Sequence, residues 1–156
     1  MALTSFRTKL LAIVLATAGG CTEGKHPFRM VQFCLGSSSE IPGFTRFMRD
    51  LASEYQMQFY DRSEETHQEL RDLASQNENI PLNDRTINFG AQRGDDFSFG
   101  AGNLGMPTDQ VVIGFNGTDV KASRSFANDT VERLSARWPV KEVPAGQGAF
   151  PLPNCD

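Results

Sequence analysis

Histidine is scarce in this sequence, with two residues in a chain of 156. His26 lies in a short polar segment and His67 in a weakly amphipathic stretch, so the two belong to different predicted elements. A structural metal centre draws several nitrogen, sulfur or carboxylate ligands into one small volume. The sequence therefore predicts no metal site.

Basic residues are also few, with 15 Lys and Arg against 19 Asp and Glu, and no basic run reaches five residues. If the opening segment with Arg7 and Lys9 is removed, 13 basic residues remain against 19 acidic ones, a net charge of −6. A surface of this sign repels phosphate backbones. We therefore expect no nucleic-acid partner.

No apolar run is long enough to cross a bilayer, which takes roughly 20 residues. The clearest apolar stretch, "LLAIVLATA", has nine residues and follows two basic residues. This pattern is typical of a signal peptide, which we assign to residues 1–20. One possible cleavage, directed by the small residues Ala16 and Ala18, would release a soluble protein that begins at Gly19.

The other possible cleavage depends on "AGGC", in which two small residues precede Cys21. This segment resembles the lipobox of bacterial lipoproteins, with Ala18 at the position where Leu is usual. The resemblance implies a diacylglycerol thioether on Cys21, cleavage before it, and acyl chains that anchor a tether of residues 21–27 to a membrane. Asp after the cysteine tends to retain Gram-negative lipoproteins at the inner membrane. Thr22 therefore implies an outer-membrane lipoprotein that faces the periplasm.

The number of cysteines favours the second cleavage, because three cysteines leave an exported protein with an odd thiol. Lipidation of Cys21 leaves Cys34 and Cys155, which we predict to form a disulfide. This bridge would close a loop of about 120 residues and hold the C-terminal tail. We expect Phe150 and Leu152 in that tail to contact the core.

Residues 28–156 have the pattern of a single α+β domain with a C-terminal tail. Strands are indicated where apolar residues alternate, and helices where they recur at spacings of three, four and seven. The predicted order is strand, helix, strand, helix, three strands, helix and strand. The predicted elements cover residues 28–35, 40–55, 57–61, 62–75, 86–92, 96–102, 110–116, 119–138 and 139–143. The expected helix caps are Ser38 or Ser39, the pair Asp61 and Glu64, and Thr118 or Asp119.

This element order suggests a ferredoxin-like fold. The strands predicted at residues 86–92 and 96–102 form a hairpin. Setting aside the second helix and one strand of this hairpin, we interpret the order as the βαββαβ plan. In that plan the helices pack on one face of an antiparallel sheet.

The segment "GAGNLG" has the glycine spacing of a dinucleotide-binding fingerprint. That fingerprint requires a helix to begin at its last glycine, here Gly105. Met106, Pro107 and a predicted strand follow instead. We therefore predict a loop between strands and no cofactor.

No pattern of catalytic residues stands out, so the first hypothesis is a non-catalytic, lipid-anchored envelope lipoprotein that binds another envelope protein. An alternative is an exported hydrolase acting on envelope material, with Asp95, Asp96, Asp109 or Ser38 in its site. That hypothesis predicts one pocket lined by two or more of these side chains. A third is a small-ligand binder, which predicts an uncovered apolar groove on the sheet face away from the helices.

Overall fold

The computed structural model describes residues 26–155, which contain six strands, three α-helices and one short 3-10 helix. Cys21 and both predicted cleavage sites lie outside the described residues. The elements are β1 (Arg29–Cys34), the 3-10 helix (Ser38–Glu40), α1 (Ile41–Glu54), β2 (Gln58–Asp61), α2 (Ser63–Gln76), β3 (Asn88–Arg93), β4 (Phe97–Gly102), β5 (Gln110–Asn116), α3 (Val120–Ser135) and β6 (Lys141–Val143).

The strands form one open sheet in the order β2-β3-β4-β5-β1-β6, and every neighbouring pair is antiparallel. The prediction of an α+β domain with an antiparallel sheet is therefore confirmed. The hairpin strands β3 and β4 both lie inside the sheet, between β2 and β5. The βαββαβ plan has four strands, so two strands must be set aside to obtain it from this six-stranded sheet. The prediction that setting aside one hairpin strand gives this plan is wrong.

Helices α1 and α3 pack on the same face of the sheet, where alternate strand residues are aromatic or aliphatic. Phe44 of α1 lies with its ring centroid 5.6 Å from that of Phe33 and 5.4 Å from that of Phe89. Phe126 of α3 stacks on Phe97 and Phe99, at 5.0 and 6.0 Å. Burial of each such ring stabilises the fold by about 1.5–3 kcal/mol. This aromatic layer is the core.

Helix α2 is peripheral, as expected, because Thr66 is its one buried residue. It lies beside the start of β3, where Asn88 Nδ2 donates to Thr66 Oγ1 at 2.7 Å. The Ser63 hydroxyl also accepts the backbone N–H of Asn88, at 3.0 Å. These two bonds attach a largely polar helix to the sheet.

The helix starts differ in part from the expected caps. Ser37, and neither Ser38 nor Ser39, caps the 3-10 helix that leads into α1, and its hydroxyl accepts from the N–H of Ser39. Asp61 accepts from Ser63 N at 3.0 Å, but no return bond from Glu64 completes the capping box within the described chain. The prediction for the third helix is confirmed, since its N-cap side chain, from Asp119, accepts from Ala122 N.

Candidate functional site: the open face of the sheet

The sheet face away from α1 and α3 is half covered by the C-terminal tail, residues 149–155. Two glutamine side chains on adjacent strands hold the tail backbone. Gln110 donates to the carbonyl of Phe150 at 2.7 Å and accepts from the N–H of Leu152 at 3.0 Å. Gln32 accepts from the N–H of Phe150 at 3.2 Å. The face therefore binds an extended segment through side-chain amides.

A disulfide between Cys34 and Cys155 attaches the end of this tail to β1, with the two Cα atoms 5.4 Å apart. The predicted pairing is confirmed. Leu152 is buried, as expected, but the ring of Phe150 is 41% exposed. The expectation for Phe150 is wrong because its backbone forms the contact and its ring points to solvent.

The uncovered half of this face has a row of glycines across three strands. Gly90, Gly100 and Gly114 are direct register partners on β3, β4 and β5. A Cβ added at Gly100 would have no atom within 4 Å, whereas one at Gly90 would lie 2.5 Å from the hydroxyl of Tyr60. One at Gly114 would lie 3.2 Å from Pro27. The row is therefore covered at both ends and open in the middle.

The open middle of the row is the floor of an apolar groove of about 370 Å³. Its walls include Tyr60, Leu104, Met106 and Val112, and it reaches Ala149 at the start of the tail. Tyr60 is 45% and Leu104 52% exposed, high values for large apolar side chains. None of the lining residues is charged. The groove thus suits an apolar or backbone-presenting ligand.

Leu104 is positioned by a buried polar side chain that sequence reasoning missed. Asn103 accepts the N–H of Ile87 at 2.7 Å and donates to the carbonyls of Arg85 and Thr108, at 2.9 and 2.8 Å. Gly105 follows with φ +73°, a conformation that glycine adopts at no steric cost. The segment "GAGNLG" is therefore the end of a strand and a turn, in agreement with the prediction of a loop.

The residues proposed for a hydrolase do not meet in one place. Asp95 and Asp96 are exposed in the turn between β3 and β4, whereas Asp109 is buried just before β5. Ser38 lies near Asp109, because Cys34 pairs with Gln110 at that end of the sheet. The two ends are roughly 20 Å apart, the length of a six-residue strand. Asp95 lines a cleft of about 420 Å³ with Gln92 and Ser98, and none of the other three residues lines it.

Residues 26–155 also contain no cluster of three or more His, Cys, Asp or Glu side chains that could hold a metal ion. His67 donates or accepts one hydrogen bond, between Nδ1 and Thr86 Oγ1 at 2.9 Å. None of the helices in this part of the chain is long and apolar enough to cross a membrane.

Sequence reasoning did not identify the glycine row, although each glycine is visible in a predicted strand. The sequence feature that could have indicated this row is glycine in the interior of a strand. Such a glycine weakens the strand and often marks a place where a ligand or another backbone approaches closely. Whether three such glycines align depends on register, which the sequence does not provide.

Comparison with known proteins gives no relative from which a function could be transferred. No protein-family model matches the chain, no curated protein matches it, and no solved structure matches it. The functional conclusion therefore depends on the geometry described above.

Proposed function

We propose that this chain is a non-catalytic, lipid-anchored envelope protein that binds an extended segment of another envelope protein in the glycine groove. The observation that carries the proposal is the half-covered open face. One half binds the chain's own tail through Gln32 and Gln110, and the other half is exposed, apolar and continuous with it. A partner segment would lie beside the tail on the same face of the sheet.

Two properties of the groove favour a polypeptide over a small ligand. It is shallow and open along one side, whereas small-molecule sites enclose most of the ligand surface in a cleft or cavity. The glycine row also permits close approach of a second backbone, because Gly100 has no neighbour above it. Tyr60 and Leu104 would then pack on side chains of the bound segment.

The anchor is supported by the "AGGC" segment, with Cys21 as the lipidated residue. Thr22 supports location at the outer membrane, facing the periplasm. The ferredoxin-like relationship is supported by strand order, since removal of β3 and β4 leaves β2-β5-β1-β6 with α1 and α3 as the two crossovers. In this view, α2, β3 and β4 are an insertion that supplies most of the groove.

Site-specific photo-crosslinking in the native host tests the binding surface. A photoreactive amino acid replaces Gly100, where the added side chain meets no atom, or Gly43, which is equally free of neighbours but lies on α1. We expect a discrete adduct with one envelope protein from position 100 and none from position 43. Equal adducts from the two positions, or none from position 100, would contradict the proposal.

A second variant asks whether the groove itself is needed. With the photoreactive residue at Leu104, Gly100→Leu should fill the groove and abolish the adduct, while Gly43→Leu should leave it unchanged. The anchor is tested separately by the intact mass of protein extracted from membranes. A mass that begins at Cys21 with added acyl chains supports it, and an unmodified mass that begins at Gly19 contradicts it.

A further inference from the structure

A second cleft, distant from the glycine groove, concentrates the basic side chains of this acidic protein. It lies between α1, α2 and the segment that precedes β3, and has a volume of about 920 Å³. Of the twelve Lys and Arg residues between positions 26 and 155, four line it: Arg46, Arg49, Arg71 and Arg85. They come from three separate elements.

Three of these arginines have no acidic partner within the described part of the chain. Arg49 lies 3.9 Å from Asp61, but Arg46, Arg71 and Arg85 form no ion pair among residues 26–155. The cleft also contains the carboxylates of Asp61, Glu64 and Asp84, so that its formal charge is +1 in a chain of net charge −4. Three guanidinium groups thus have their donors available for a ligand.

The wall that carries Arg85 is fixed from two sides. Asn103 donates to the carbonyl oxygen of Arg85 at 2.9 Å, and the neighbouring Thr86 hydroxyl is 2.9 Å from His67 Nδ1. On the opposite wall, Asp61 accepts from Ser63 N and lies near Arg49. The backbone that presents the arginines is therefore held by hydrogen bonds, which lowers the entropic cost of ordering the site when a ligand binds.

We propose that this cleft binds a soluble ligand that carries two or more oxyanion groups, phosphates or carboxylates. A guanidinium group matches either oxyanion through two parallel N–H···O bonds. A single phosphate would engage one or two of the arginines in so large a cleft. A ligand with two anionic groups can engage arginines from α1, from α2 and from the segment that precedes β3 at the same time.

Topology favours a soluble source over the headgroups of the protein's own membrane, and this step depends on the anchor proposed above. The described chain begins at His26, beside the end of the sheet where Arg29 pairs with Phe115. The cleft lies at the opposite end, where Asp61 pairs with Phe89. The length of the strands separates the two ends by roughly 20 Å. The cleft therefore faces away from an anchor at the N-terminus.

Titration of the detergent-purified full-length chain with inorganic pyrophosphate, and separately with citrate, tests the site by calorimetry. We expect saturable binding of at least one probe, weakened at least tenfold in the Arg46→Gln/Arg71→Gln double variant. Arg124→Gln, on the exposed side of α3, is the matched control and should change the affinity less than twofold. None of the three positions makes an ion pair among the described residues, so all variants should fold.

Three results would overturn the proposal. The first is the absence of saturable binding of either probe at concentrations up to about 10 mM, and the second is equal weakening by Arg124→Gln. The third is binding that depends on Arg46 and Arg71 only with vesicles of phosphatidylglycerol. The last result would assign the cleft to a lipid headgroup. If no crosslinked adduct forms from the glycine groove but pyrophosphate still binds, only the proposal of a protein partner is refuted. The two proposals can therefore fail independently.

Discussion

Removal of the disulfide should cost a large part of the stability of this domain. The bridge between Cys34 and Cys155 spans 121 residues of sequence. In the chain-entropy account a loop of this length restricts the unfolded state by about 5 kcal/mol at 25 °C. Because domains of this size are stable by about 5–15 kcal/mol, the double variant Cys34→Ser/Cys155→Ser should be marginally stable.

Urea denaturation followed by fluorescence measures this loss, since the chain has a single tryptophan. Trp138 packs against Phe33, with ring centroids 5.4 Å apart, and reports on the core. At a slope of about 2 kcal/mol per molar urea, a loss of 5 kcal/mol lowers the midpoint by about 2.5 M. The control Leu152→Ala, with the disulfide intact, removes a buried tail contact and should cost about 2–3 kcal/mol.

Comparison of the two variants separates the covalent constraint from the packing of the tail. A loss below 1 kcal/mol in the double serine variant would refute the argument from loop length. A loss equal to that of Leu152→Ala would show that the bridge acts only by holding the tail in place.

Three further predictions follow from individual side chains. Gly90→Ala should destabilise the domain by about 2 kcal/mol or more, because its Cβ would lie 2.5 Å from the backbone carbonyl oxygen of Phe99 as well as from the Tyr60 hydroxyl. Gly100→Ala should be neutral or stabilising by up to about 1 kcal/mol, and urea midpoints compare the pair. Asn103→Ala removes the partner of the buried Ile87 N–H and of two half-buried carbonyl groups and should cost about 3 kcal/mol, measured as a fall in thermal midpoint. Burial, with the hydrogen bond to an aspartate, raises the pKa of the Tyr55 phenol, so the contribution of Tyr55 to stability should be constant below about pH 10 and fall above it. Tyr55→Phe should remove that fall, and an unchanged alkaline fall would contradict the assignment.

The pH prediction follows from the position of Tyr55 at the end of α1. Its hydroxyl donates to Asp129 Oδ2 at 2.8 Å, and Arg133 Nε lies 3.0 Å from the same oxygen. Ionisation would place a phenolate beside a carboxylate. The unfolded chain ionises near pH 10 without this penalty, so it gains stability relative to the folded state as the pH rises.

The position of nearly every strand and helix could be predicted from local pattern. The strand over residues 110–116 agrees at both ends. Helix α3 has the predicted cap in Asp119, but it ends at Ser135, three residues before the predicted end at residue 138. Period-two and period-3.6 patterns arise because each element buries one face, and this requirement acts within a short segment of sequence. The pairing of Cys34 with Cys155 was predicted from the number of cysteines together with the hypothesis that Cys21 carries lipid.

Register and strand order were decided by the tertiary structure, because they depend on contacts between residues far apart in sequence. The sequence contains Gly90, Gly100 and Gly114, but their alignment in one row requires β3, β4 and β5 to pair in a particular register. Likewise, one cleft is lined by Arg46, Arg71 and Arg85, because α1, α2 and the segment that precedes β3 meet at one end of the sheet.

The tail illustrates the same division within a few residues. Composition identifies Phe150 and Leu152 as apolar and therefore as equal candidates for the core. In the fold, the amides of Gln32 and Gln110 hold the tail backbone in an orientation that buries Leu152 and exposes Phe150. The sequence by itself thus determined which segments form elements and which cysteines pair. The tertiary structure decided which side chains share a surface, since that depends on how distant elements are oriented.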